Sequence, residues 1–221
     1  MENRLDRDFS FFSLLRFALP SVVMMIFASL YSIVDGMFVS RFVGEDALAA
    51  DGNWGDHTYI GIISGWYAPA MNIHRTPFAG RNFEYYSEDG FMSGEMALQA
   101  ASACAEKGVY AYIKHYALND QEGNRNSMLC TWSNEQAIRE IYLKPFEISV
   151  KEGGADAVMS SFNYIGTQWT GANNELCNVV LRDEWGFRGM AITDFFRNNG
   201  HGFMNADAAL ANGVDGMLAT V

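Results

Sequence analysis

Apolar positions follow two different patterns along this chain. From Phe17 to Val34 there are 18 consecutive residues without a charge, bounded by Arg16 and Asp35. At 1.5 Å rise per residue that length reaches the lower edge of what spans a ~30 Å hydrocarbon core. It predicts one hydrophobic, membrane-spanning helix within residues 1–50. A signal peptide fits less well, because Glu2, Asp6 and Asp8 accompany Arg4 and Arg7 and no small-residue cleavage site follows. A buried helix of a soluble protein is the third reading. The segment sets the expected location: membrane-associated if the helix is genuine, cytoplasmic otherwise.

From about residue 51 short apolar runs alternate with amphipathic stretches. The runs predict strands at Tyr67–Met71, Val109–Ile113, Ala157–Ser161, Met190–Thr193 and Val214–Leu218, with helices at about 93–107, 134–151, 173–185 and 205–212. Asn134 suits an N-cap, and Pro145 should kink or divide the helix that follows it. Gly108, Gly153, Gly154 and Gly213 sit where glycines end helices. Strand–helix alternation of this kind argues for a parallel sheet with crossover helices.

Polar residues follow the first four runs: Asn72 and His74, then Lys114 and His115, then Asn163, then Asp194. Convergent strand ends are how a (β/α)₈ barrel builds a site. A doubly wound sheet would call for a Gly-rich phosphate turn, and the chain has no GxGxxG or Walker sequence. The expected fold is therefore α/β, an incomplete (β/α)₈ TIM-type barrel over residues 51–221 preceded by a single hydrophobic helix over 1–50. Only about five strands can be counted where eight are needed. Such a barrel has open parallel edges, which predicts self-association.

Composition narrows the partners. The formal net charge is −11 and there is no basic stripe, which argues against nucleic acid. Cys104, Cys130 and Cys177 are far apart and odd in number, so neither a disulfide framework nor a zinc site is expected. His74 and His115 have no HxH or HExxH spacing, and no metal is expected.

The densest chemistry lies between Trp66 and Gly90, where His74, Arg75, Arg81, Glu84, Glu88 and Asp89 crowd one loop. Arg75, Glu84, Glu88 and Asp89 are expected to build that loop by pairing with one another. The stretch NIHRTPFAGRNFEYYSED closely resembles the signature loop of glycoside hydrolase family 3, the β-glucosidase-like retaining glycosidases. The resemblance continues through AYIKHYALNDQE, AVMSSFNYIG and GFRGMAITDF, in family order, from about residue 51 to the end.

That resemblance implies an exo-acting hydrolase of β-linked sugars that needs no cofactor and takes an oligosaccharide or glycoside as substrate. It implies Asp194 as the carboxylate nucleophile, and Arg81, Lys114, His115, Met159 and Phe162 as substrate-binding residues. On spacing alone Asp194 could equally cap the next helix. A tyrosine is commoner in the family where Phe162 stands. The family's early sugar-gripping aspartate has no equivalent before Trp66, and its general acid/base glutamate, from a second domain, is not found either. Trp66, Trp132, Trp169 and Trp185 could stack on sugars, although a core role is expected for most of them.

Residues 11–50 resemble the first transmembrane helix of a multidrug and toxic compound extrusion transporter. One helix cannot form a transport path. The alternative expectation is thus an inactive or sugar-binding, membrane-tethered remnant of a fused or mis-joined gene.

Overall fold

The computed structural model describes residues 65–196 and 202–218, and Leu19 ahead of them. Contacts divide the chain into Met1–Gly61 and Ile62–Val221, and every element below belongs to the second unit. The expected membrane helix at 17–34 and the transporter-like stretch lie outside the described residues. Among the described residues no helix is long and apolar enough to cross a membrane.

In chain order the elements are β1 (Gly65–Trp66), α1 (Gly90–Glu106), β2 (Tyr110–Tyr116), β3 (Cys130–Thr131), α2 (Lys144–Lys151), β4 (Ala157–Ser160), β5 (Tyr164–Ile165), β6 (Gln168–Trp169), β7 (Met190–Ile192) and α3 (Ala206–Ala211). The main sheet runs β1-β2-β4-β7, all neighbours parallel, with Tyr112 opposite Ala157 and Val158 opposite Ala191. A small sheet, β3-β5-β6, lies beside it. The α/β expectation and its parallel sheet hold.

Four elements differ from the sequence pattern. The first strand pairs at Gly65–Trp66 and then only through an isolated bridge from Ala70 to Lys114, because Pro69 interrupts the run with no N–H to donate. The fifth strand is reduced to a bridge between Gly216 and Ile192. The helix expected over 134–151 is split: Asn134 caps Glu135–Ala137 by accepting from the Ala137 N–H, a π-helical turn follows at Ile138–Tyr142, and α2 starts afresh with Pro145 in its first turn. Proline is tolerated there because first-turn N–H groups have no helical partner. The helix expected at 173–185 is π-helical over Glu175–Glu184.

Helix α1 is fastened at its start by Asp89, whose side chain accepts from the Met92 N–H at 2.6 Å. Its inner face is Gly90, Ser93, Gly94, Ala97 and Ala101, a small-residue stripe at helical spacing. The stripe brings α1 close to α2: a Cβ on Gly94 would lie 2.6 Å from Ile148 Cδ1. Gly108 ends this turn of chain at φ +73°, a conformation open to glycine at little cost. The core between helices and sheet is filled by Met71, Ile113, Val158, Tyr116, Phe146 and Phe187, each almost fully buried. Trp169 and Trp185 join this core, whereas Trp132 is 71% exposed.

Candidate active site

Lys114 and His115 lie inside β2, in its last three residues, and not beyond its end as the sequence pattern suggested. Successive residues of a regular strand face opposite sides. Here the register with β4 shifts between Ile113 and Tyr116. Both side chains nevertheless reach one place, at an irregularity of the kind common beside sites. His115 Nε2 lies 3.6 Å from Asp194 Oδ2, and Lys114 Nζ lies 3.8 Å from Glu84 Oε2.

Asp194 follows β7 by two residues and is 7% exposed. Its Oδ1 accepts from the Phe195 N–H at 2.7 Å, and its Oδ2 accepts from Arg125 Nη2 at 2.9 Å. Burial pushes this carboxyl above the usual aspartate range, while Arg125 and, more weakly, Arg81 and Lys114 pull the other way.

Arg81 arrives from the loop that follows β1. Its Nη1 meets His115 Nε2 at 3.1 Å, and its Nε donates to Glu84. Burial, reinforced by the charges of Arg81, Lys114 and Arg125, holds His115 well below an ordinary imidazole. The ring is therefore neutral at physiological pH, and Nε2 can accept from the guanidinium. Burial also lowers the Lys114 ammonium, with Glu84 opposing it.

Three buried bridges weld the Arg81 loop to the chain around β2. Asn72 uses both ends of its amide on the His115 backbone, donating to its carbonyl and accepting from its N–H, each at 2.9 Å. The Ile73 N–H donates to Asp120 Oδ1 at 3.0 Å. The Tyr85 hydroxyl donates to the Asn119 carbonyl at 3.1 Å.

Arg75, Glu84 and Asp89 of this loop do not pair with one another as the sequence predicts. Glu84 pairs with Arg81 and Lys114 instead of Arg75, and Asp89 caps α1. Arg75 lies over the Tyr142 ring at 5.4 Å. A carboxylate that caps the start of a helix, or pairs with buried cations, is not available to its sequence neighbours.

Of the six residues read from the sequence, Arg81, Lys114, His115 and Asp194 converge directly. Phe162 reaches the group through Arg125, whose guanidinium sits 4.6 Å above its ring. Met159 is buried on β4 opposite Ile192. Arg125 and Glu122 were missed. Glu122 accepts from Arg125 Nη1 at 3.0 Å and lies 4.0 Å from Arg81 Nε. Their one signal in the sequence is an i,i+3 charge pair in the loop after β2. Among the described residues no group of His, Cys, Asp or Glu could hold a metal ion.

The arrangement is a buried carboxylate held by one arginine, next to a neutral imidazole, an ammonium and a second arginine. Such a set can present donors to adjacent hydroxyls while keeping one carboxylate fixed for attack.

Comparison with known proteins agrees with this chemistry. The profile of the glycosyl hydrolase family 3 N terminal domain matches residues 57–220. Beta-glucosidase A of Butyrivibrio fibrisolvens is 44% identical over 131 residues, covering 59% of this chain and 16% of that protein. A beta-glucosidase of Ruminococcus albus is 41% identical over 147 residues, covering 64% of this chain and 15% of that one. Among solved structures, beta-glucosidase 3B of Thermotoga neapolitana in complex with glucose superposes with a TM-score of 0.65 at 44% identity, over 70% of this chain and 21% of that one. The chain thus spans about a sixth of the length of these curated relatives.

Proposed function

The chain belongs to glycosyl hydrolase family 3, and on that premise we propose that it is a β-glucosidase-like, retaining glycoside hydrolase with Asp194 as its nucleophile. The observation that carries the reading is the convergence of Asp194, His115, Lys114 and Arg81 at the ends of parallel strands. The relatives named above are beta-glucosidases, and the Thermotoga enzyme is one solved with glucose.

In this reading Asp194 Oδ2 attacks the anomeric carbon, the bond to the aglycone oxygen breaks, and a glycosyl-enzyme forms, the aglycone departing as an anion when activated and otherwise taking its proton from solvent water. Water then reverses the step and restores the carboxylate, with net retention. Arg81, Lys114 and His115 take hydroxyls of the bound sugar. Met159 and Phe162 close its apolar side, Phe162 also supporting Arg125. No cofactor takes part. The four-stranded parallel sheet is read as part of an incomplete (β/α)₈ barrel, its strand ends forming the mouth.

Retention calls for two carboxyl groups about 5–5.5 Å apart. The other carboxylates of the cluster, Glu84 and Glu122, are each already engaged by an arginine, so neither is free to approach a leaving group. This favours a second reading, sugar binding without appreciable turnover.

Aryl glycosides separate the two. General acid help is worth roughly 10²–10⁴-fold, and a dinitrophenolate leaves without it. A glycosidase should hydrolyse dinitrophenyl β-glucoside measurably while being far slower on a natural disaccharide. A binding remnant should bind glucose and release no dinitrophenol.

A further inference from the structure

Five side chains, the candidate nucleophile among them, follow one another in a circuit of close approaches. Asp194 Oδ2 meets Arg125 Nη2 at 2.9 Å, and Arg125 Nη1 is held by both oxygens of Glu122, at 3.0 and 3.2 Å. Glu122 Oε1 lies 4.0 Å from Arg81 Nε, Arg81 Nη1 meets His115 Nε2 at 3.1 Å, and His115 Nε2 returns to Asp194 at 3.6 Å. Glu122 thus lies against both Arg81 and Arg125. It is itself oriented, because Asn119 Nδ2 donates to Oε1 at 3.2 Å. A Cβ on Gly80 would come within 3.1 Å of Glu122 Cβ, so the Arg81 loop packs directly on this residue.

We propose that Glu122 is a positioning residue, which aims Arg125 at Asp194 and so keeps the carboxylate in its attacking, ionised form. The geometry gives the reason. A guanidinium has two faces of donors, and one arginine can serve Asp194 with a fixed direction only if its remaining donors are engaged elsewhere. Glu122 engages Nη1, and the Phe162 ring supports the plane at 4.6 Å. Arg125 is otherwise a long, rotamer-rich side chain in a loop, with substantial entropy to lose on being fixed. The inference rests on the reading of Asp194 as nucleophile, since a positioned counter-ion matters most where one carboxylate must stay charged in a buried site.

The groups that face Asp194 are Arg125 from the loop after β2, His115 and Lys114 from β2, and Arg81 from the loop after β1. Of these only Arg125 makes a direct ion pair with it within 3 Å. This leads to opposite effects for two substitutions. Glu122→Gln keeps an acceptor for Arg125 and removes a negative charge. Glu122→Ala removes both.

The test is titration of the Asp194 carboxyl carbon by NMR in the wild type, E122A and E122Q, a measurement that needs no turnover. The positioning role predicts that E122A titrates higher than wild type by roughly one unit or more, because Arg125 is no longer aimed. It predicts that E122Q stays level or moves lower, because the arginine remains and a neighbouring negative charge is gone. If E122A does not fold, E122D carries the same upward prediction, since it keeps the charge but shortens the reach. Both variants moving together, in either direction, or neither moving, would overturn the inference. Labelling of the wild type by a fluorosugar tests the glycosidase reading separately, so failure of one is distinguishable from failure of the other.

Discussion

Arg125 Nη2 donates to Asp194 Oδ2 at 2.9 Å, joining a loop and a strand end that are 69 residues apart. Both side chains are largely buried, 13% and 9% exposed. Removing one partner of such a pair leaves an uncompensated charge, typically a loss of 3–5 kcal/mol. Arg125→Met should therefore destabilise the fold by about 3 kcal/mol at pH 7.

The loss should depend on pH with a defined sign. Without Arg125 the Asp194 carboxyl is raised further above its unfolded value. A raised carboxyl favours the folded state below the unfolded pKa, and that advantage is lost as pH rises through the folded one. Urea unfolding of R125M should show a smaller deficit at pH 4 than at pH 7. An equal deficit at both would mean the pair is not what Arg125 contributes.

Asp120 offers a second pH test. It is 5% exposed and burial pushes it up to about 6, against the opposing charge of Arg75. The stability associated with its neutral form is fully present below the unfolded pKa near 3.8 and is lost as pH rises through about 6. Asp120→Asn keeps an oxygen for the Ile73 N–H and cannot ionise. The wild type should lose stability relative to D120N between pH 4 and pH 7, by ~3 kcal/mol for a shift of about two units. Parallel stability curves for the two proteins would exclude Asp120 as the titrating group.

Asn72 bonds the His115 backbone twice. Asn72→Ala strands a buried N–H and a buried carbonyl, each costing roughly 1–3 kcal/mol when left unpaired. The variant should unfold at a clearly lower temperature and bind glucose more weakly, because His115, which Arg81 meets, loses its backbone anchor. Thermal unfolding with and without glucose reads both effects. Unchanged values would remove Asn72 from the account.

The apolar segment Phe17–Val34 predicts partition into lipid. Membrane fractionation of the expressed chain, followed by detergent extraction, measures this directly. Recovery in the soluble fraction without detergent would contradict it.

The sequence carried some of this site openly and hid the rest. Asp194 could be read because an apolar run, Met190-Ala-Ile-Thr, ends on a carboxylate at a strand end. Lys114 and His115 could be read as a pair, but a period-2 pattern would have sent them to opposite faces. Both arrive at the irregularity in β2, which no local pattern signals. Arg125 and Glu122 lie in a loop without periodicity, and their value comes from a contact 69 residues away that no local pattern encodes. The same holds for Asp89 and Arg75, whose partners proved to be a helix start and the Tyr142 ring. The π-helical stretches also leave little trace, since apolar spacing barely distinguishes them from α-helix.

The central claim is that Asp194 forms the covalent bond to the sugar. A 2-deoxy-2-fluoro dinitrophenyl β-glucoside forms a glycosyl-enzyme readily and leaves it slow to hydrolyse, so the label accumulates on the nucleophile. Peptide mapping by mass spectrometry after incubation is the most direct measurement. The account predicts one label, on Asp194, absent from Asp194→Ala. A label on Glu84 or Glu122, or equal labelling of the Asp194→Ala variant, would contradict it.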